Sequence, residues 1–154
     1  MRNKFDFKKD GLIWVMLILL FPLFGSCQKE ELQKPLAGTE WLLVGFGEKV
    51  TGTLEPAKPE ANSRGSFLLV FGENGKLDGY TATNLATGQY DLDYNNPGKI
   101  SIPYFGAMTK INELYDGLRY IESMNKVSKY QFESGRLLLF YNSREYLLFG
   151  PKTD

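Results

Sequence analysis

The 154-residue chain contains no histidine and a single cysteine, Cys27. The first absence excludes Ser-His-Asp and Cys-His catalysis and imidazole metal ligands, and one thiol cannot build a thiolate cluster. There is no excess of charge of either sign, because 18 Lys and Arg face 18 Asp and Glu. Without a basic patch, nucleic acid is not an expected partner. No G-x-S-x-G, Walker-type Gly-Lys loop or dinucleotide-binding glycine series occurs, and Gly45-Phe46-Gly47 lacks the third glycine of such a series. Only carboxylate chemistry or oxygen-bound metals remain open. The expectation is a protein that is not an enzyme and holds no cofactor or metal.

What is present begins with an address. Arg2, Lys4, Lys8 and Lys9 outnumber Asp6 and Asp10, and an apolar run from Gly11 to Phe24 follows, interrupted at Pro22. As a helix that run would measure about 21 Å, short of the roughly 30 Å hydrocarbon core of a bilayer. The basic front and the small-residue exit read as a secretory signal. Gly25-Ser26-Cys27 resembles the lipobox of bacterial lipoproteins, with Phe24 where that family usually has Leu. The resemblance implies that residues 1–26 are removed and that Cys27 is the lipidation site. Its thiol would take a glyceride as a thioether, and palmitate-type chains would hold the protein to a membrane. A buried methylene contributes about 0.8 kcal/mol, so more than one chain makes the attachment lasting.

Residues 27–35 are polar, end in Pro35 and read as a tether. Within them Gln28-Lys29-Glu30-Glu31 is similar to the short signal that sends lipoproteins of Bacteroidetes-type bacteria to the cell surface. The expected location is therefore the bacterial outer membrane, lipid-anchored and surface-exposed. Without residues 1–26 the charges become 14 basic against 16 acidic, a net of −2 over 128 residues. That length suits one ordinary domain with a core of its own. Residues 36–150 form that domain in this reading, and 151–154 a tail.

Inside the domain the patterning is mainly of strands. Gly38 to Phe46 is one, Ser66 to Phe71 another, and Gly72-Glu73-Asn74-Gly75 a hairpin turn leading into Lys76 to Asn84. In Gln89-Tyr90-Asp91-Leu92-Asp93-Tyr94 the alternation puts Tyr90, Leu92 and Tyr94 inward and both aspartates outward. Lys99 to Ile102 alternates again, with Ile100 and Ile102 inward. The segment 47–65 reads as a surface insertion with a short extension around Val50 to Leu54. Ile111, Leu114, Tyr115, Leu118 and Ile121 fall at helical spacing and predict one helix from Asn112 to Asn125. In it Asn112 is the N-cap, Glu113 lies in the first turn and Gly117 allows close approach to a sheet. Three more strands follow, at Val127–Phe132, Arg136–Tyr141 and Glu145–Phe149. Leu137 to Phe140 and Tyr146 to Phe149 lack alternation, as strands covered on both faces do. The expected fold class is α+β, a strongly bent, barrel-like antiparallel β-sheet packed inside on itself and outside on one α-helix.

These pieces together resemble the META-domain (HslJ-like) lipoproteins. The resemblance is carried by Gly38-Thr39-Glu40-Trp41, by Phe71 with Gly75, and by the series Gly79, Asn84, Gly88 and Tyr90. Met108-Thr109 before the helix and the two closing apolar strands complete it. Thr83 stands where the family often has Cys, and a second family Cys after Met-Thr is absent, which marks a divergent member. The resemblance implies a small α+β fold and an envelope location linked to stress tolerance, and no agreed activity.

Two groups invite a site reading. Asp91 and Asp93 would lie about 6.5–7 Å apart on one strand face, a spacing used by paired carboxylates, yet a solvated strand face looks the same. The nine tyrosines could present sugar- or peptide-binding rings, but tyrosine is also ordinary sheet material. The expected function is a non-enzymatic envelope lipoprotein, structural or binding an envelope protein. The alternative is a surface module that binds a glycan or other small ligand through exposed aromatics. Bulky residues at the inward positions predict an interior filled by the chain's own side chains. Replacing Cys27 by Ser should abolish incorporation of radiolabelled palmitate and leave an unprocessed precursor. Undiminished label in Cys27→Ser would place the anchor elsewhere.

Overall fold

The computed structural model describes residues 35–62 and 65–153. The signal segment 1–26, Cys27 and the tether up to Lys34 lie outside the described residues. The strands are β1 (Thr39–Glu48), β2 (Thr53–Pro56), β3 (Leu68–Phe71), β4 (Lys76–Tyr80), β5 (Leu85–Leu92) and β6 (Ile100–Ala107). Helix α1 (Gly117–Met124) follows, then β7 (Lys129–Glu133), β8 (Arg136–Phe140) and β9 (Glu145–Pro151). All pairings are antiparallel, in the order β6-β5-β4-β3-β1-β9-β8-β7. The expected class, α+β with a barrel-like sheet, is what the chain adopts.

β1 is the strand on which the sheet turns. It pairs with β3 over Thr39–Leu42, takes β2 on the same edge over Gly45–Glu48, and follows β9 along its other edge. Its register with β9 shifts between Leu43 and Gly45, and an irregularity of that kind bends and twists a strand. A second shift between Gln89 and Asp91 bends β5 against β6. The sheet curls until its edge strands meet at one point. Lys99 bridges Lys129, and the Tyr130 amide donates to the Gly98 carbonyl at 2.7 Å. Beyond that point the edges part. There the side chain of Asn125 accepts from the Phe105 amide at 2.8 Å and donates to the Phe105 carbonyl at 2.8 Å, so one carboxamide stands in for a strand neighbour.

Pro103 lies within β6, a strand that the alternation ended at Ile102. Proline removes a donor and is confined to edge strands, and β6 is an edge, so the ladder continues past it. Asn74-Gly75 makes the expected hairpin between β3 and β4, with Gly75 in the left-handed region at φ 79°.

The interior is filled. Ile100, Ile102 and Tyr90 face inward as expected, and the Tyr90 hydroxyl donates to the Gly72 carbonyl at 2.8 Å. At the centre stands Tyr120 of α1, fully buried, with ring centroids 5.4 Å from Phe67, 5.4 Å from Phe105 and 6.3 Å from Phe149. Those rings belong to the lead-in of β3, to β6 and to β9, well separated in the strand order. The helix therefore packs within the curl, not outside it as expected. On the other side of β8 and β9, Leu138, Phe140 and Leu148 form a second small cluster with Tyr146.

Four further expectations are corrected. The helix covers eight residues, Gly117–Met124, instead of Asn112–Asn125. Tyr115 sits at φ 51°, a left-handed conformation that a right-handed helix cannot pass through. Asn112 is accordingly no N-cap; Asp116 holds that position, and its carboxylate accepts the Lys58 amide at 2.7 Å instead of capping. The buried helix face consists of Gly117, Tyr120, Ser123 and Met124, whereas Ile111, Leu114, Tyr115 and Leu118 are exposed. Tyr94, expected inward, is exposed because β5 ends at Leu92 and the chain turns there. The short extension expected around Val50 to Leu54 is β2, Thr53–Pro56, with Val50 exposed in the turn before it.

Tyr120 carries its ring contacts without a partner for its hydroxyl, and burial pushes that hydroxyl far above its ordinary pKa of 10.0. An unpaired buried hydroxyl costs about 1–3 kcal/mol, so Tyr120→Phe should leave stability unchanged or raise it by about 1 kcal/mol, while Tyr120→Ala should cost about 3–5 kcal/mol. The folded protein keeps this proton where the unfolded chain releases it. Stability from Tyr120 is therefore intact below pH 10.0 and falls as pH rises above it. Urea titrations from pH 8 to 11 should show a shallower alkaline loss for Tyr120→Phe than for the native chain. Parallel curves would refute this.

Candidate functional site

The segment between β6 and α1 is folded with Thr109, Glu113 and several backbone groups turned inward and its large apolar side chains outward. Thr81 and Asn84, both buried, close the turn between β4 and β5. The Thr81 hydroxyl accepts the amides of Thr83 and Asn84 at 3.2 and 2.9 Å and donates to Glu113 Oε1 at 2.6 Å. Asn84 Nδ2 donates to the same carboxylate oxygen at 2.6 Å and to the Ile111 carbonyl at 2.8 Å. Its Oδ1 accepts the Thr109 hydroxyl at 2.5 Å and the Ile111 amide at 3.1 Å. Thr83 Oγ1 then takes the Leu114 amide at 3.1 Å. Downstream, the Asp116 amide donates to the Lys58 carbonyl at 3.0 Å.

Glu113 could not point inward if Gly117 had a side chain. A Cβ there would come within 2.0 Å of Glu113 Oε2 and 3.3 Å of the Ala82 Cβ. The close approach expected of Gly117 is thus to a carboxylate and a turn. Glu113 Oε2 and the Tyr120 hydroxyl are the buried side-chain polar atoms left without partners among the described residues. With Thr109, Glu113 and the Ile111 and Leu114 backbone so occupied, the apolar side chains are left outside. Met108, Ile111, Leu114, Tyr115 and Leu118 are 62, 60, 55, 75 and 57 % exposed. Leu85, whose carbonyl accepts the Met108 amide at 2.7 Å, is exposed beside them.

The residues singled out for chemistry are not brought together. Asp91 stays exposed on β5, while Asp93 folds into its own turn. The Asp93 carboxylate accepts from Asn96 Nδ2 at 2.8 Å and Lys99 Nζ at 3.2 Å, and these bonds hold its pKa below the usual carboxylate value. Among the described residues, no group of His, Cys, Asp or Glu is arranged to hold a metal.

Three open depressions mark the surface. The largest, about 640 Å³, lies between the β3–β4 turn and Tyr104, with Lys76, Gln89 and Asp91 between them. A second, about 280 Å³, sits where Arg119 stacks 3.8 Å over the Phe46 ring and pairs with Glu55 at 2.7 Å. The third, about 330 Å³, lies over Leu138 and Leu148. All three are open to solvent.

No family model matches the sequence. The chain is similar over 146 residues, 92% of its length and 94% of the relative's, to a protein of Tannerella forsythia named "Putative lipoprotein", at 25% identity. Its fold is similar to that of a DUF4847 family protein from Bacteroides vulgatus, with a TM-score of 0.57 and 19% identity over 79% of this chain and 98% of that one. A protein from Burkholderia xenovorans has a TM-score of 0.58 and 20% identity, covering 77% of this chain and 85% of its own. The sequence match brings a divergent lipoprotein-like relative alongside the chain, and the structures share its fold.

The sequence reading recognised Asn84 only as a turn residue and Glu113 only as a helix-start acid. The signal that joins them was present in Asn84 and Met108-Thr109, two pieces of the family resemblance that meet in one hydrogen bond. Asn84→Ala should cost about 2–4 kcal/mol, because it removes the partner of the Ile111 amide, the Ile111 carbonyl and the Thr109 hydroxyl and leaves Glu113 Oε1 with the Thr81 hydroxyl alone. Hydrogen exchange at the Ile111 amide should accelerate more than at the core amides of β9. Equal protection at Ile111 in both proteins would show that the loop is held by other means.

Proposed function

We propose that this protein is a non-enzymatic lipoprotein of the bacterial envelope, of the META-domain type, anchored in the outer membrane through acyl chains on Cys27 and working by contact. The observation that carries the contact reading is the inverted loop. A buried polar network fixes the segment 109–116 while five large apolar side chains face solvent, and fixed exposed apolar surface is characteristic of interaction sites. The similarity to the Tannerella forsythia protein supports the lipoprotein part. The hydrogen bond between Thr109 and Asn84 supports the META part, because it joins two elements of that resemblance. The filled interior favours contact over capture of a small ligand within the barrel.

Density-gradient separation of cell envelopes should place the native protein with the outer membrane and Cys27→Ser elsewhere. A thermal-shift screen of the mature protein against glycans, lipids and envelope fragments should show no saturable stabilisation. Dose-dependent stabilisation by one glycan class would transfer the protein to the ligand-binding alternative.

A further inference from the structure

The inverted loop lies at the opposite end of the barrel from both ends of the domain. Leu36, Gly38 and Lys152 gather around Phe71 and Glu40, where the Gly38 amide donates to the Phe71 carbonyl and the Lys152 amide to the Glu40 carbonyl. From Phe71 the sheet runs through β4 to the Tyr80–Leu85 pair, and the loop begins just past it, where Met108 meets Leu85. Residues 28–35 separate Cys27 from the domain at the first of these ends.

We infer that this loop is a self-association surface, and that its occupant is a second copy of the same chain. The surface has the necessary size. Met108, Ile111, Leu114, Tyr115, Leu118 and Leu85 together expose roughly 700 Å², backbone and the Tyr115 hydroxyl included, of the order of the ~800 Å² that each partner gives a standard interface. It also has the necessary charge pattern. Glu113 is turned inward, and the charged groups left at the surface between Met108 and Leu118 are one of each sign, the exposed Lys110 and the half-buried Asp116, whose carboxylate accepts the Lys58 amide. A twofold axis brings a patch against itself, and a mostly apolar patch with one charge of each sign meets its copy without a block of like charges being forced together. Lipid anchoring confines the copies to one surface and raises their effective concentration. That last step rests on the lipoprotein reading proposed above.

Cysteine scanning in whole envelopes tests the inference, because Cys27 is the chain's one native thiol. Ile111→Cys, Tyr115→Cys and Leu118→Cys are each oxidised with copper phenanthroline, with Thr51→Cys on the exposed β1–β2 turn as control. At least one loop position should convert more than half of the chains to a disulfide-linked dimer of this protein, and Thr51→Cys should not. Adding Leu114→Asp should lower the yield at least tenfold while the melting temperature stays within a few degrees. Failure of all three loop positions to link two copies would overturn the inference. So would protection of the same cysteines by lipid, or their linkage to a different protein. A disulfide dimer of the native chain would instead show that the Cys27 thiol is free, and would overturn the lipoprotein reading without touching the loop.

Discussion

The constraint on which the structure depends is that its sheet curls without closing. A closed barrel satisfies every strand edge with another strand, but here β6 and β7 touch only where Lys99 meets Lys129. Two things must then be supplied: a filling for the curl and a partner for the open part of the seam. The short helix supplies both. Tyr120 fills the centre against rings from three separated parts of the sheet, and Asn125, one residue past the helix, completes the hydrogen bonds of Phe105 at the edge. A helix packed on the outside could have done neither.

Placing the helix inside the curl dictates how the chain must reach it. The route from the end of β6 to Gly117 passes the turn Thr81–Asn84, which offers mainly polar groups, with Ala82 as its one apolar side chain. The segment answers with its own amides, Thr109 and Glu113, so its apolar side chains have nowhere to go but solvent. A residue with φ of 51° at Tyr115 is the cost of turning from that route into the helix axis. Strain, an unpaired buried carboxylate oxygen and exposed apolar surface coincide within a few residues. Features of this kind persist where function outweighs stability.

The strands were largely legible because their signal is local. Alternation and turn chemistry located β3, the Asn74-Gly75 hairpin and the inward isoleucines of β6. The helix was legible in existence and not in extent, for a physical reason. The spacing of Ile111, Leu114, Tyr115, Leu118 and Ile121 is a valid helical stripe, but the stripe is read without knowing what it would meet. Apolar periodicity predicts burial only if an apolar surface is available, and the surface nearest these residues is Asn84, Thr81 and Thr83. Tyr94 failed for a related reason: alternation continues in the sequence beyond the point where Asp93 finds Asn96 and Lys99 and turns the chain. What the residues could not disclose was the topology that sets the polar turn opposite the apolar stripe.

The same mismatch separates two kinds of apolar surface on the domain. Leu138, Phe140 and Leu148 belong to strands whose neighbours leave them little exposed, so they are satisfied within the chain by packing. The side chains of the 108–118 segment are of similar type, yet most of their surface remains in water, and leaving a large apolar side chain exposed forgoes about 1.5–3 kcal/mol of burial energy. Several such residues represent a loss comparable to the whole stability of a small domain. Relaxing the loop to bury them would break the bonds of Asn84 and Glu113 and leave polar groups unpaired at the barrel mouth. The polar network therefore acts as a lock that holds the apolar side chains in water.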